Sequence, residues 1–387
     1  MHPNRETNHR GLFAGLLGAA ALCAYAMLFL LAESETAVIA LLVVGVVVAV
    51  FAERFGLLGR VGRSFEGNEK LFSTVAVAGV LLTTVFFHED HYVLFLLATV
   101  LLYMVVCLGL NIQLGYAGLL NFAGASFFGV GCYTAAVLNN YAAVPDLLIV
   151  LTGGIIATLI GSLLILPVLR TSGHYAALVT IAFALLFKTL IEVNDTLGGP
   201  QGLPVEGMNL LGWVFNNNVE LGGTEISFYA SYVLVSLVLL VLMFALTKRL
   251  ERSWIGLNMD AIRLDEVASA CFGLSIVRWK IVAFTLGNFL IGLAGALYGM
   301  MIGYIAPTNF TFGDSLILLS IVLLSGIGNP WSLAVGTAIV VVLPEKLQII
   351  QEYRFLLYSS VVILMLLFRP EGLVPRRLRA YVPGWRP

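Results

Sequence analysis

A succession of long, almost uncharged apolar runs constrains this chain more than any other feature. Such runs lie at residues 11–32, 36–52, 71–87, 92–112, 147–169, 175–191, 229–246, 281–303, 315–327, 333–350 and 355–368, with a glycine-rich apolar stretch at 114–140. Most of them match the length of helix that crosses a hydrocarbon core of roughly 30 Å. With 60% hydrophobic and 11% charged residues in 387, too little polar surface is left to cover a water-soluble particle. In a bilayer every backbone polar group needs an internal partner, which leaves helices or a closed barrel, and runs of this length are helices. The fold expected is therefore an all-α polytopic transmembrane bundle of about 12 spans, with 10 as the lower bound. A cleavable signal peptide is the competing reading of the first run, but that run is 22 residues long and a second follows almost at once.

Charge fixes the orientation. The net charge is −1, yet the 21 Lys and Arg residues are unevenly spread. When the runs are taken as alternating spans, the segments before residue 11, at 53–70, at Arg170, at 248–280 and after 368 fall on one side and hold nearly all of them. The other side holds only Lys346 and Arg354, and its longest segment, 192–228, has neither Lys nor Arg. Positive charge stays in the cytoplasm, so both termini are expected there. The division expected along the chain is an N-terminal helix pair with its basic loop over 1–70, a transmembrane domain over 71–375 and a basic cytoplasmic tail over 376–387.

Several chemistries lack their residues. The pair Lys188-Thr189 is the one place where Lys precedes Ser or Thr, and the positions where a phosphate-cradling loop needs glycines are Phe187 and Ala182. Any ATP hydrolysis that powers the protein belongs to another polypeptide, and no cofactor is expected. Ion-driven carriers place ionisable groups at mid-membrane; here only Lys188 qualifies as a candidate, and it lies near the outer end of its run, where it can snorkel to the surface. Cys23, Cys107, Cys132 and Cys271 form no disulfide or zinc pattern. The segment His88-Glu89-Asp90-His91 reads as a solvated outer loop, because no third ligand cluster accompanies it. No catalytic constellation converges, so the protein is not expected to be an enzyme.

Two stretches remain informative. The short, glycine-laden apolar part of 114–140 suits a broken or closely packed helix beside a path. Asn111, Gln113, Asn121, Tyr133, Thr134, Thr180 and Asn288 are polar positions in the central spans. Two readings stand for them: hydrogen-bonded cross-links between helices, or groups lining a translocation path. The second stretch is the basic loop 248–280. There Asp260 is placed to cap a helix over 261–272, in which Ile262, Leu264, Val267, Ala268 and Cys271 recur near helical spacing and Gly273 marks the stop. An amphipathic helix in a cytoplasmic loop is what a permease needs if a separate engine must push on it.

Asp265-Glu266-Val267-Ala268 followed by Phe272-Gly273-Leu274 resembles the coupling loop of ATP-binding-cassette importer permeases, in the form found in the LivM-like branched-chain amino acid family. Further segments resemble that family in order along residues 92–375: Gly109-Leu110-Asn111-Ile112 with Gly115-Tyr116-Ala117-Gly118, Arg170-Thr171-Ser172-Gly173-His174-Tyr175, Gly198-Gly199-Pro200-Gln201-Gly202, Gly292-Leu293-Ala294-Gly295 and Arg369-Pro370-Glu371-Gly372-Leu373. His174, Lys188 and Asn121 depart from its usual residues. The resemblance implies a second, LivH-like permease subunit, two cytoplasmic ATP-binding subunits, an external solute-binding protein and a bacterial inner membrane, with lipid contacts and no nucleic acid. It also implies that Arg263, Asp265, Glu266, Ala268 and Gly273 serve coupling to the ATPase, and that the cargo is an amino acid, with branched-chain amino acids first and urea, short amides or other small solutes as alternatives. A stand-alone carrier or channel is the reading from a different class.

Overall fold

A computed structural model of the chain describes residues 69–346 apart from 143, 171–173, 211 and 222–223. It also describes 18, 24–32, 34, 36–41 and 43–45, and residues 353, 356, 359, 360, 363, 367, 372, 373 and 376. The run expected at 355–368 and the basic loop at 53–68 lie largely or wholly outside these residues. Helix α1 spans Glu69–Phe86, α2 His91–Asn111, α3 Gly124–Tyr141, α4 Asp146–Arg170, α5 His174–Val193 and α6 Tyr229–Glu251. Two short helices follow, α7 over Trp254–Leu264 and α8 over Glu266–Cys271, and then α9 over Ile276–Ile302, α10 over Phe312–Ser325 and α11 over Ser332–Lys346.

Six described stretches are long and apolar enough to cross a membrane: His91–Tyr116, Asp146–Leu169, Tyr175–Val193, Tyr229–Glu251, Ile276–Ile302 and Pro307–Ser325. The protein is thus an all-helical, multi-pass integral membrane protein. Helices α1, α3 and α11, of 18, 18 and 15 residues, are apolar as well. Lys188, inside α5, sits 3.4 Å from Glu192 near the end of that helix, half-buried rather than at its centre.

The loops show why the helices begin and end where they do. Asp90 accepts hydrogen bonds from the Tyr92 and Val93 amides at the start of α2, and Thr311 with Asp314 forms a reciprocal cap on α10. Helix α9 stops at Gly303, where φ is 78°. At that end of the bundle the acidic segment 194–228 folds into short turns and two- or three-residue antiparallel strand pairs. One of these joins Leu203–Pro204 to Tyr304–Ile305 across the chain. Lys346, at the end of α11, donates to the carbonyls of Leu30 and Ala32, which ties the described part of the N-terminal segment to the same end.

Helix α9 is the axis of the packing, and it meets α4, α3 and α2 on three sides. Glycine makes these contacts possible. A Cβ on Gly131 would strike the Gly292 carbonyl, one on Gly295 the Phe128 carbonyl, and one on Gly109 would lie 2.5 Å from the Gly287 carbonyl. On the α4 side, a Cβ on Gly292 would lie 2.5 Å from the Ala157 methyl and 2.6 Å from the Gly153 carbonyl. In lipid there is little hydrophobic force between helices, so close backbone approach and dispersion carry the association. Cys132 adds a thiol hydrogen bond to the Gly295 carbonyl at 3.0 Å.

The structure corrects the expected single helix over 261–272 capped by Asp260. Two helices occupy the loop, with their break at Leu264 and Asp265. Ser253 caps α7 and Asp265 caps α8, while Asp260 is buried in the second turn of α7. The periodicity of Ile262, Leu264, Val267 and Cys271 runs across the break, because a one-residue extended kink hardly disturbs a short apolar pattern.

The packing predicts a sharp asymmetry between faces. Gly292→Val places two methyl groups against backbone that cannot yield, and should cost about 1–3 kcal/mol or more. Leu163→Val, on an exposed face of α4, should change stability by no more than about 0.5 kcal/mol. Thermal unfolding of the detergent-solubilised protein measures both; equal midpoints would refute the role given to the glycines.

Candidate functional site

The break between α7 and α8 turns the loop 248–280 into a platform. Asp265 has φ −157° and ψ 110°, and its carboxylate accepts from the Val267 and Ala268 amides at 2.9 and 3.0 Å. At the other end Gly273 adopts φ 81°, with its amide bonded to the Ala270 carbonyl and the Leu274 amide to the Ser269 carbonyl, a left-handed stop. Nothing lies within 4 Å of a Cβ placed on Gly273, so only its backbone conformation demands glycine. Between the caps, Val267 is 76% and Phe272 87% exposed, and Leu264 and Cys271 also face outward. Glu266 pairs with Lys280 at 2.6 Å and so fixes α8 to the start of α9. Of the five residues expected to serve coupling, Asp265, Glu266, Ala268 and Gly273 build this platform. Arg263 instead turns inward, and its guanidinium donates to the Gly115 carbonyl.

Arg263 leads to a second cluster that the sequence did not suggest. Arg376 forms a two-pronged ion pair with Asp260 at 2.6 and 2.9 Å, and its Nε lies 3.5 Å from Glu251 at the end of α6. The guanidinium carbon stands 4.6 Å from the centre of the Tyr116 ring. Burial lowers the Arg376 pKa; the Asp260 hydrogen bonds and charge, with Tyr116 and Glu251, more than offset it and leave the group above its ordinary value. At Arg263, burial and then the neighbouring Arg376 charge act downward. Both guanidinium groups stay protonated in any physiological buffer.

Tyr116 closes a π-helical turn over Ile112–Tyr116, where α2 loosens before an irregular stretch leads into α3. The polar residues of the central spans gather at this break. Gln113 Nε2 donates to Asn288 Oδ1 at 2.9 Å and to the Phe284 carbonyl at 3.1 Å, while Asn121 Nδ2 donates to Gln113 Oε1 at 2.8 Å. Asn121 Oδ1 accepts from the Ala123 amide, the Thr180 hydroxyl accepts from the Phe122 amide, and Asn111 Oδ1 accepts from the Gly328 amide at 2.8 Å. The Phe122 and Ala123 amides, freed where α2 and α3 part, are thereby bonded to side chains rather than left bare. All five of these residues are buried.

Tyr133 and Thr134 lie apart from this network, in the middle of α3. Thr134 bonds back to the Val130 carbonyl at 2.7 Å. The buried Tyr133 hydroxyl has no hydrogen-bond partner, and its ring meets Phe310 at 5.9 Å and Phe187 at 6.5 Å between centroids.

A protein-family model described as "Branched-chain amino acid transport system / permease component" matches residues 92–369. The LivM permease protein of the high-affinity branched-chain amino acid transport system from Salmonella typhimurium is 33% identical over 289 residues, which cover 71% of this chain and 68% of that protein. The corresponding protein of Escherichia coli is 34% identical over the same shares. The LivH permease protein of Salmonella typhimurium is 23% identical over 292 residues, 71% of this chain and 91% of that protein. No solved structure matches the chain. The match over most of the bundle, from α2 to the residues before the tail, means that this chain belongs to the family of permease components of branched-chain amino acid transport systems.

Proposed function

We propose that the protein is one of two different membrane subunits of an ATP-driven importer, that its cargo is an amino acid with a branched aliphatic side chain, and that α8 is the contact through which a cytoplasmic ATPase drives it. The observation that carries this reading is the doubly capped, outward-facing α8 with Val267 and Phe272 bare to solvent, in a member of a permease family. An exposed apolar helix on a short loop invites a groove on a partner. The similarity to both LivM and LivH proteins supports a two-permease assembly. A pair of ATPases, an external binding protein and residence in a bacterial inner membrane complete the reading, with both termini in the cytoplasm and about 12 spans.

The buried polar residues of the spans fall into two groups by position, those at the α2–α3 break and those in the middle of α3. Gln113, Asn121 and Asn288 bond to one another, and Asn121 and Thr180 to the loosened backbone, which supports a joint, with Asn288 Nδ2 buried and unbonded beside it. Tyr133 has a hydroxyl without a partner beside an aromatic wall, which supports a contact with cargo: the ring surface suits an aliphatic side chain and the hydroxyl a polar head. Helix α8 would move when the ATPases close, and the bundle would then alternate between outward and inward access.

Purification of the tagged protein from detergent-solubilised membranes should bring down a second permease and ATP-binding subunits, and uptake of leucine into liposomes should require ATP. Uptake by the lone chain without ATP would instead establish a carrier. Gly273→Val, which forces a β-branched residue into left-handed backbone at a cost of about 1–2 kcal/mol, should uncouple hydrolysis from uptake. Gly273→Asn, which tolerates that conformation, should stay coupled; equal behaviour of the two would discount the cap. Tyr133→Phe removes an unsatisfied buried hydroxyl, so thermal stability should hold or rise while uptake falls. Unchanged uptake would remove Tyr133 from the path.

A further inference from the structure

Four separate segments meet at one side chain on the loop side of the bundle. Arg376 grips Asp260 of α7, approaches Glu251 at the end of α6, and lies over the Tyr116 ring at the end of the π-helical turn. The chain leading to it is itself anchored: the Leu373 amide donates to the Leu324 carbonyl at 2.9 Å, and Gly372, at φ 86°, presses against the Gly326 backbone beyond α10. Arg376 therefore joins the loop, the break in α2 and the end of α10.

We propose that Arg376 is a positioning residue for transport, the link through which displacement of the α7–α8 loop reaches the break in α2 and, through it, the Gln113–Asn121–Asn288 joint. The proposal rests on the importer reading above. Three arguments support it. A buried ion pair is a weak source of stability, because desolvation takes back most of the Coulombic gain, so its value here is geometric: a planar fork fixes both the distance and the angle between α7 and the tail. Tyr116 is three residues beyond Gln113, one turn along the same helical segment, so a shift of its ring is passed on as rotation of that turn. The turn at Ile112–Tyr116 is π-helical, a rare geometry that recurs at functional sites. Arg263, bonded to the Gly115 carbonyl from the same α7, gives the loop a second hold on that turn, whereas Arg376 alone adds the tail and α10.

The test uses the complete importer in liposomes, with its sister permease, ATPases and binding protein, and reads leucine taken up per ATP hydrolysed. In Arg376→Gln and in Asp260→Asn the complex should assemble and hydrolyse ATP within about twofold of normal, while uptake per ATP falls at least about fivefold. The double variant should be no worse than either single one, since both remove one link. An assembled Arg376→Gln complex with unchanged uptake per ATP, or one in which hydrolysis and uptake fall in proportion, would overturn the proposal. Should that variant not assemble, Tyr116→Leu leaves the ion pair in place and removes the ring beneath it. The same loss of coupling is expected, and its absence overturns the link equally. Uptake without ATP by the unaltered complex would be a failure of the importer reading and not of this link.

Discussion

Close approach of helix backbones around α9 is the condition on which the rest of the structure depends. Lipid is as apolar as leucine, so an aliphatic surface gains nothing by leaving it, and helices hold together only where atoms fit more densely than lipid can pack against them. Gly109, Gly131, Gly153, Gly292 and Gly295 meet carbonyls or small side chains of the neighbouring helix at distances that admit no Cβ. Each closest contact is with backbone or with an alanine Cβ, neither of which has a rotamer that can move aside. Apolar side chains line inner and outer faces alike, and the glycines decide which faces approach most closely.

Close packing of that kind leaves little tolerance for irregular backbone, yet α2 is interrupted in the midst of it. The interruption is tolerated because side chains bond part of the backbone it frees, the Phe122 and Ala123 amides and the Gly115 carbonyl among it. Gln113, Asn121 and Asn288 bond to one another, and Asn121, Thr180 and Asn111 accept from the amides of Ala123, Phe122 and Gly328. Unsatisfied backbone in such a setting would cost several kcal/mol per group, so the polar residues are a requirement of the break. A joint held by hydrogen bonds can also exchange partners, which an aliphatic joint cannot, and this suits the movement proposed for it.

At the loop end, charge takes over from packing. Asp265 and Glu266 shape α8 through a cap and an ion pair, and Asp260 holds Arg376. The three carboxylates lie within seven residues and do three different things. Asp265 is exposed and directs its lone pairs to amides; Glu266 is exposed and steers Lys280; Asp260 is buried and neutralises the Arg376 guanidinium, which touches both α7 and the Tyr116 ring. Location in the loop, rather than residue type, separates these roles.

Much of the fold was legible in the sequence because hydrocarbon is a demanding solvent: run length gives spanning helices, and Gly273 gives a stop that the structure realises at φ 81°. The order of motifs also pointed to the permease family. The break between α7 and α8 was not legible, because Asp260 and Asp265 are both good caps and local pattern does not choose between them. Tertiary structure chose, by burying Asp260 against a residue more than a hundred positions away. The same holds for the polar residues of the spans: Asn111, Gln113, Asn121, Thr180 and Asn288 could be named from the sequence, but only folding brought residues 8, 167 and 175 positions apart into one network and left Tyr133 outside it. A sequence fixes what each residue can bond to, while the distances that select among those partners exist only once the helices have packed.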